Sequence, residues 1–444
     1  MSIIEMSVTA SAAAIQAGEL TSEELVKAYV DQIDAHEATV EAWEHYDADY
    51  ALTQARDADM LRRKGQQTGP LHGIPIGVKD IFDTHDMPTE DGTIIHKGRT
   101  PADDASSVEQ LRQAGAVIMG KTVTTEMAVL HPSRTKNPHN PEYSPGGSSS
   151  GSAAAVAANM VPLAIGTQTN GSVIRPASYC GVVGYKPTHG LISRYRVLLQ
   201  SLNFDHVGVF ARSVDDAALL AEQMMAYDKR DPSMKVRMPP KLLATIAEGP
   251  LVPPKLAFVK TPAWDTHADN DVKEGFTEIA NFLGDSVEEL DLTHLLEEVP
   301  HWHKIIMETD IAKSFNRDYK QHKDQLSDSL RELIERGRKT LAIEYNHAVD
   351  HIGALNTAMD EIMSEYDAIL TPATTGEAPK GFETTGDPIF CTPWSFCGMP
   401  AVTLPLMQGS NNMPLGIQLT SAKGDDARLL RTADWLTKKV NEGI

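Results

Sequence analysis

Residues 145–168 read PGGSSSGSAAAVAANMVPLAIGTQ: a Gly-Ser loop, a stretch of good helix formers, then a short apolar run bounded by turn residues. This loop–helix–strand order constrains the fold more than any bulk property, because the same alternation recurs along the chain. PLHGIPIGVKD (70–80) is a short apolar run punctuated by Pro and Gly and ending at Lys79, which predicts a buried strand leading into a loop. SSVEQLRQAG (106–115) predicts a helix ending at Gly115, and AVIMGKT (116–122) a short strand. YDAILTPAT (366–374) and MPAVTLPL (399–406) read as further buried strands. Thr21-Ser22-Glu23-Glu24 has the form of a capping box opening an amphipathic helix, and a second helix is predicted at about 48–64. Residues 132–152 form a loop and 228–256 an exposed connection. From about 268 to 366 the chain is charged and helical, and a helix from about 425 closes it. Strands alternating with helices predict an α/β fold, a central twisted mixed sheet covered by helices on both faces.

Three local motifs suggest chemistry, and their contexts exclude it. Gly147–Gly151 fits the GxSxG nucleophile elbow, but that elbow follows directly on a hydrophobic strand, and NPHNPEYSPG cannot be a central strand. Gly115–Thr122 fits the GxxxxGKT phosphate loop, yet its central residues AVIM are themselves the strand, which leaves no cradle. His301-Trp302-His303 lacks a further ligand cluster and reads as solvated surface, so no metal site is expected.

Residues 146–190, GGSSSGSAAAVAANMVPLAIGTQTNGSVIRPASYCGVVGYKPTHG, resemble the amidase signature enzymes. Their core is a Gly-Ser-rich loop, a small-residue helix, a strand ending in GTxTxGS, a Pro-containing turn and CGxxGxKPT. The upstream family strand GIPxxVKD corresponds to Gly73–Asp80, and the likeness resumes in YDAILTPAT and WSFCGMPAVTLPL. The resemblance implies an amidohydrolase with a Ser–cis-Ser–Lys triad: Ser172 as nucleophile, Ser148 as bridging proton relay and Lys79 as base. Such a lysine acts only when neutral, which requires burial or a nearby cation. The family's cis peptide falls at Gly147–Ser148, where glycine lowers the steric cost. The turn TQTNGS would present the backbone N–H groups of Thr169, Asn170, Gly171 and Ser172 as an oxyanion hole. Met127, in KTVTTEMAVLHP, matches a family position lining the acyl pocket, and core packing explains it equally well.

The match has departures. Gln168 stands where Asp is common, Asn170 replaces a glycine, and the arginine slides to Arg175. Asn tolerates the left-handed backbone the turn could need, while its side chain would crowd or polarise the acyl pocket. Ser150 and Ser152 lie outside the triad pattern and are expected to cap the following helix.

A single amidase domain over 1–444 is expected, with a signature core at about 65–215 and a variable helical pocket region at about 225–366; residues near Trp394 complete the pocket. The expected substrates are small-molecule amides, with esters and aryl carbamates as extensions of the same site. The alternative is the A component of a tRNA-dependent amidotransferase complex. A net charge of −21 argues against a general nucleic-acid or anionic-membrane surface. The expected partners are therefore a small-molecule amide, ester or carbamate, without nucleic acid or membrane, and a homo-oligomer is possible. No cofactor is called for. Cys180, Cys391 and Cys397 form no CxxC pair and read as buried reduced thiols. The N-terminus lacks a basic region followed by an apolar one, so a cytoplasmic protein is expected.

Overall fold

The computed structural model describes residues 2–443. Among these residues eleven strands build one mixed sheet: β1 (Trp43–Tyr46), β2 (Pro75–Lys79), β3 (Val117–Thr122), β4 (Leu163–Gln168), β5 (Val183–Lys186), β6 (His206–Ala211), β7 (Leu256–Val259), β8 (Val287–Leu290), β9 (Ala368–Pro372), β10 (Ala401–Gln408) and β11 (Pro414–Thr420). Their spatial order is β1-β3-β2-β4-β6-β5-β10-β11-β9-β7-β8, and helices flank the sheet as expected of an α/β fold. β2 runs parallel to both β3 and β4, with Val78 opposite Ile165 and Lys79 opposite Thr122. The C-terminal ends of β2 and β4 therefore emerge side by side, the place where parallel strands commonly carry a site. β6 is antiparallel to β4 and pairs His206 with Gln168, which brings the start of β6 to the same end. Every residue of β2, β3, β4 and β6 is buried, which is why these strands read as near-continuous apolar runs.

The predicted helices form where their end signals lie. Thr21 caps Ser22–Val40, accepting from Glu24 N at 3.1 Å while Glu24 Oε2 accepts from Thr21 N at 2.9 Å. The stretch 268–366 departs from expectation: β8 sits inside it as a four-residue strand without a buried residue, too short and too charged (VEEL) to show a strand period. The connection 228–256 contains the helix Leu242–Glu248, and β1, β5, β6, β7 and β11 also went unread as strands. All but β6 and β11 are four residues long, below the length at which periodicity separates strand from helix.

The small-residue helix Ser150–Ala157 runs directly behind the β2–β4 end. Its closeness depends on Gly151, where a Cβ would lie 2.2 Å from the Ala42 carbonyl oxygen and 2.4 Å from Val123 N. A separate apolar cluster joins the helices Val299–Ser314 and Ala342–Ile362 to the short helix Thr392–Cys397 through Ile306, Ala348, Trp394 and Phe396. This cluster carries the charged helical region up against the end of β4.

Candidate active site

Lys79 closes β2 with its side chain fully buried; Nζ lies 2.8 Å from Ser148 Oγ and 2.9 Å from Thr167 Oγ1. Burial pushes its pKa well below the usual lysine range, against a smaller opposing pull from the Asp205 carboxylate. Lys121, on the neighbouring strand, is equally buried but pairs with Asp80 Oδ1 at 3.1 Å and donates to the Phe82 and Pro88 carbonyls. Lys79 has no ion-pair partner among the described residues. Burial lowers the pKa of both lysines, but Lys121 has a carboxylate in contact that pulls the other way, whereas Lys79 has none in contact and is favoured as a neutral amine.

Ser148 is 1% exposed and follows a cis Gly147–Ser148 peptide, the position the resemblance predicted. Its loop is held on both sides. The Ser148 carbonyl accepts from Thr124 Oγ1 at 3.1 Å and Thr125 N at 3.3 Å, and the Gly147 carbonyl accepts from Arg175 Nη2 at 2.8 Å. Arg175 thus serves a backbone carbonyl and Thr385 Oγ1; it makes no ion pair among the described residues. Ser150 and Ser152 differ from expectation, because both lie inside the helix and neither caps it. Ser150 Oγ donates to the Gly146 carbonyl at 2.8 Å, and Ser152 Oγ donates to the Ile165 carbonyl at 3.0 Å beside Thr122 Oγ1 at 2.7 Å. Ser149 Oγ meets the backbone of Thr167, tying the serine loop to β4.

The turn after β4 carries Thr169, Asn170, Gly171 and Ser172. None of their four N–H groups donates to a protein acceptor among the described residues, whereas the next two do: Val173 N and Ile174 N donate to Gln168 Oε1 at 2.8 and 3.0 Å. Gln168 therefore starts the helix Ile174–Cys180, and a longer side chain than Asp leaves its Nε2 free to reach Ser395 Oγ at 3.0 Å. Neither Asn170 nor Gly171 adopts a positive φ, so the turn needs no left-handed residue. The Asn170 side chain is held by Thr392 Oγ1, which donates to Oδ1 at 2.9 Å. Ser172 is half-buried, and its hydroxyl makes no hydrogen bond among the described residues.

Met127 is fully buried and packs with Ile311, Phe315, Leu330 and Ile334, in a left-handed conformation at φ 46°. Its carbonyl accepts from Gln200 Nε2 at 2.9 Å, and Gln200 Oε1 lies 2.7 Å from Thr169 Oγ1, so Met127 reaches the turn through Gln200. Asp205, buried at the start of β6, accepts from Gln200 N and Ser201 N and meets Thr169 Oγ1 at 2.7 Å. Sequence reasoning found neither residue, since no motif marks them.

His303 corrects the reading of His301-Trp302-His303 as solvated surface. His301 is exposed, but His303 is 1% exposed, stacks on Phe204 with centroids 4.4 Å apart, and lies 3.2 Å from the Thr169 carbonyl through Nε2. A burial signal was available in its helical spacing to Ile306, but the surrounding charge hid it. Among the described residues one group of candidate metal ligands converges, His85, Asp86 and Asp104, and Arg112 pairs with both of its carboxylates. No helix among the described residues is long and apolar enough to cross a membrane. The three cysteines are buried and free, and burial raises each thiol pKa.

Residues 24–430 match the family model described as Amidase. The A component of glutamyl-tRNA(Gln) amidotransferase from Lachnospira eligens is 32% identical over 94% of this chain and 95% of its own length, and that from Chloroflexus aggregans is 31% identical over 97% and 95%. Among solved structures, peptide amidase from Stenotrophomonas maltophilia superposes with a TM-score of 0.85 at 29% identity, covering 98% of this chain and 97% of that one. A 6-aminohexanoate cyclic dimer hydrolase superposes at 0.88 with 25% identity over 99% and 98%. These full-length relatives overturn the expectation of a small-molecule partner without nucleic acid, because the curated ones are named as one component of an enzyme acting on a transfer RNA. Net charge misled that expectation: it sums over the whole surface and says nothing of a local patch or of contacts a companion protein makes.

Proposed function

The chain belongs to the amidase family and is an amide-cleaving hydrolase of it, and on that premise we propose that it works through an acyl-enzyme on Ser172. The observation that carries the reading is the buried Lys79, without an ion-pair partner among the described residues and with Nζ 2.8 Å from Ser148 Oγ. A neutral amine there accepts the Ser148 proton as Ser148 accepts that of Ser172, so the Ser172 oxygen attacks the carbonyl carbon as its O–H bond breaks. The tetrahedral oxyanion takes the free N–H groups of the 169–172 turn. Collapse breaks the C–N bond and the proton returns through Ser148 to the leaving nitrogen; water then attacks the acyl carbon, giving its proton to Lys79 through Ser148, and that proton returns to the Ser172 oxygen as the acyl C–O bond breaks and the carboxylic acid leaves. Met127, fully buried, acts on this turn only through Gln200, which its carbonyl holds against Thr169.

Two fates of the released nitrogen follow. Full-length similarity to the A component of an amidotransferase favours delivery of the nitrogen to an acylated tRNA within a complex. Likeness to peptide amidase and a cyclic dimer hydrolase favours hydrolysis by the chain alone; esters and aryl carbamates, which carry better leaving groups, extend the same acyl-enzyme chemistry. The discriminating experiment assays the purified chain for release of p-nitroaniline, p-nitrophenol and ammonia from an anilide, an ester and glutamine. Turnover of the first two alone supports the hydrolase. Glutamine cleavage that rises on adding glutamyl-tRNA, ATP and the companion proteins supports the amidotransferase. If Ser172→Ala leaves every activity intact, the acyl-enzyme reading fails.

A further inference from the structure

The C=O and the N–H of one peptide group point in opposite directions. A donor that grips a carbonyl from one side therefore aims the following residue's N–H to the other. Both central peptide groups of the 169–172 turn are gripped in this way. His303 Nε2 lies 3.2 Å from the Thr169 carbonyl, whose peptide carries the Asn170 N–H. Ser395 Oγ donates to the Asn170 carbonyl, and that peptide carries the Gly171 N–H. The Asn170 and Gly171 N–H groups have no protein acceptor among the described residues.

Each gripping group is itself fixed. Gln168 Oε1 takes two N–H groups of the following turn, so its Nε2 must face Ser395. The Ser395 oxygen receives that N–H and directs its single proton to Asn170. His303 faces an acceptor-only carbonyl, which requires Nε2 to carry a proton, and the stack on Phe204 sets its ring plane. The two grips come from separate elements, the helix Val299–Ser314 and the short helix Thr392–Cys397.

We propose that His303 and Ser395 are positioning residues that hold the Thr169 and Asn170 carbonyls so that the Asn170 and Gly171 N–H groups face the developing oxyanion. The inference rests on the reading of this turn as the oxyanion site of an acyl-enzyme on Ser172. It assigns the charged helical region a part in transition-state stabilisation, acting through the backbone without touching substrate.

The test compares His303→Phe and His303→Asn, and Ser395→Ala and Ser395→Thr, with wild type, using p-nitrophenyl acetate turnover and inhibition by an aryl trifluoromethyl ketone, which forms an oxyanionic hemiketal. His303→Phe and Ser395→Ala should each lower kcat by about 10–100-fold, less than outright loss of an oxyanion donor, with KM changed by less than about threefold. The ketone's affinity should fall in parallel with kcat. Ser395→Thr and His303→Asn, which keep a donor, should recover most of the loss. Should one truncation variant fail to fold, the other decides. Unchanged kcat, a rise in KM alone, or donor-bearing variants no better than truncations would overturn the proposal. Ser172→Ala separates the two levels. If it is inactive while the truncations are unimpaired, only the positioning role fails; if it stays active, the acyl-enzyme reading fails too.

Discussion

Replacing Lys79 by Met tests whether this lysine is neutral in the folded protein. Burial depresses its folded pKa, so between that value and the unfolded value of about 10.4 the unfolded chain binds a proton that the folded one does not. Over that window the Lys79 contribution to unfolding free energy rises with pH by about 1.4 kcal/mol per unit. Met removes this dependence while keeping an unbranched side chain in the same buried space. Lys121 and Lys186, both also depressed by burial, remain in the two proteins and cancel in the difference. The substitution strands the Ser148 and Thr167 hydroxyls at about 1 kcal/mol each, an offset that does not vary with pH. Urea unfolding of both proteins at about pH 8 and about pH 9.5 should therefore show wild type gaining stability relative to Lys79→Met as pH rises, by up to about 2 kcal/mol, the limit for a lysine neutral across the whole interval. The variant should be inactive at both. A difference independent of pH would mean that Lys79 is a cation in the folded state, and the base assignment would fall with it.

Activity of the wild type should be full above the depressed Lys79 pKa and lost as pH falls through it, in a single ionisation of kcat/KM; a profile that is flat or rises into acid contradicts a lysine base. Ser148→Ala should lower kcat by about 100–10,000-fold, while Ser149→Ala, whose hydroxyl meets only the Thr167 backbone, should retain most of it, as read by steady-state kinetics. Gly151→Ala should destabilise by about 1–3 kcal/mol or more, because its Cβ would collide with the backbone of Ala42 and Val123; a melting temperature equal to wild type would refute the close helix–sheet contact.

Most of what positions the site was legible in the sequence, for a physical reason. β2, β3 and β4 are buried on both faces and so appear as continuous apolar runs, with Lys79 and the 169–172 turn at their ends. The roles of individual serines were less legible. Ser150 and Ser152 precede a helical run and have the composition of caps, but a hydroxyl inside a buried helix finds partners on neighbouring elements instead. Gln168 and Asn170 looked like weaknesses of the motif until Ser395 and Thr392, more than 200 residues later, supplied their partners. His303 was hidden by the charged surroundings of its helix, since its burial comes from contact with Phe204 and the end of β4. Such long-range pairings leave no local pattern to read.

The central claim is that the acyl group forms on Ser172. The direct measurement is peptide mass spectrometry of the protein quenched with a slowly deacylating ester or labelled with a fluorophosphonate. The adduct should appear on the peptide containing Ser172 and vanish in Ser172→Ala. An adduct on Ser148 or Ser149, or one that survives Ser172→Ala, would contradict the account.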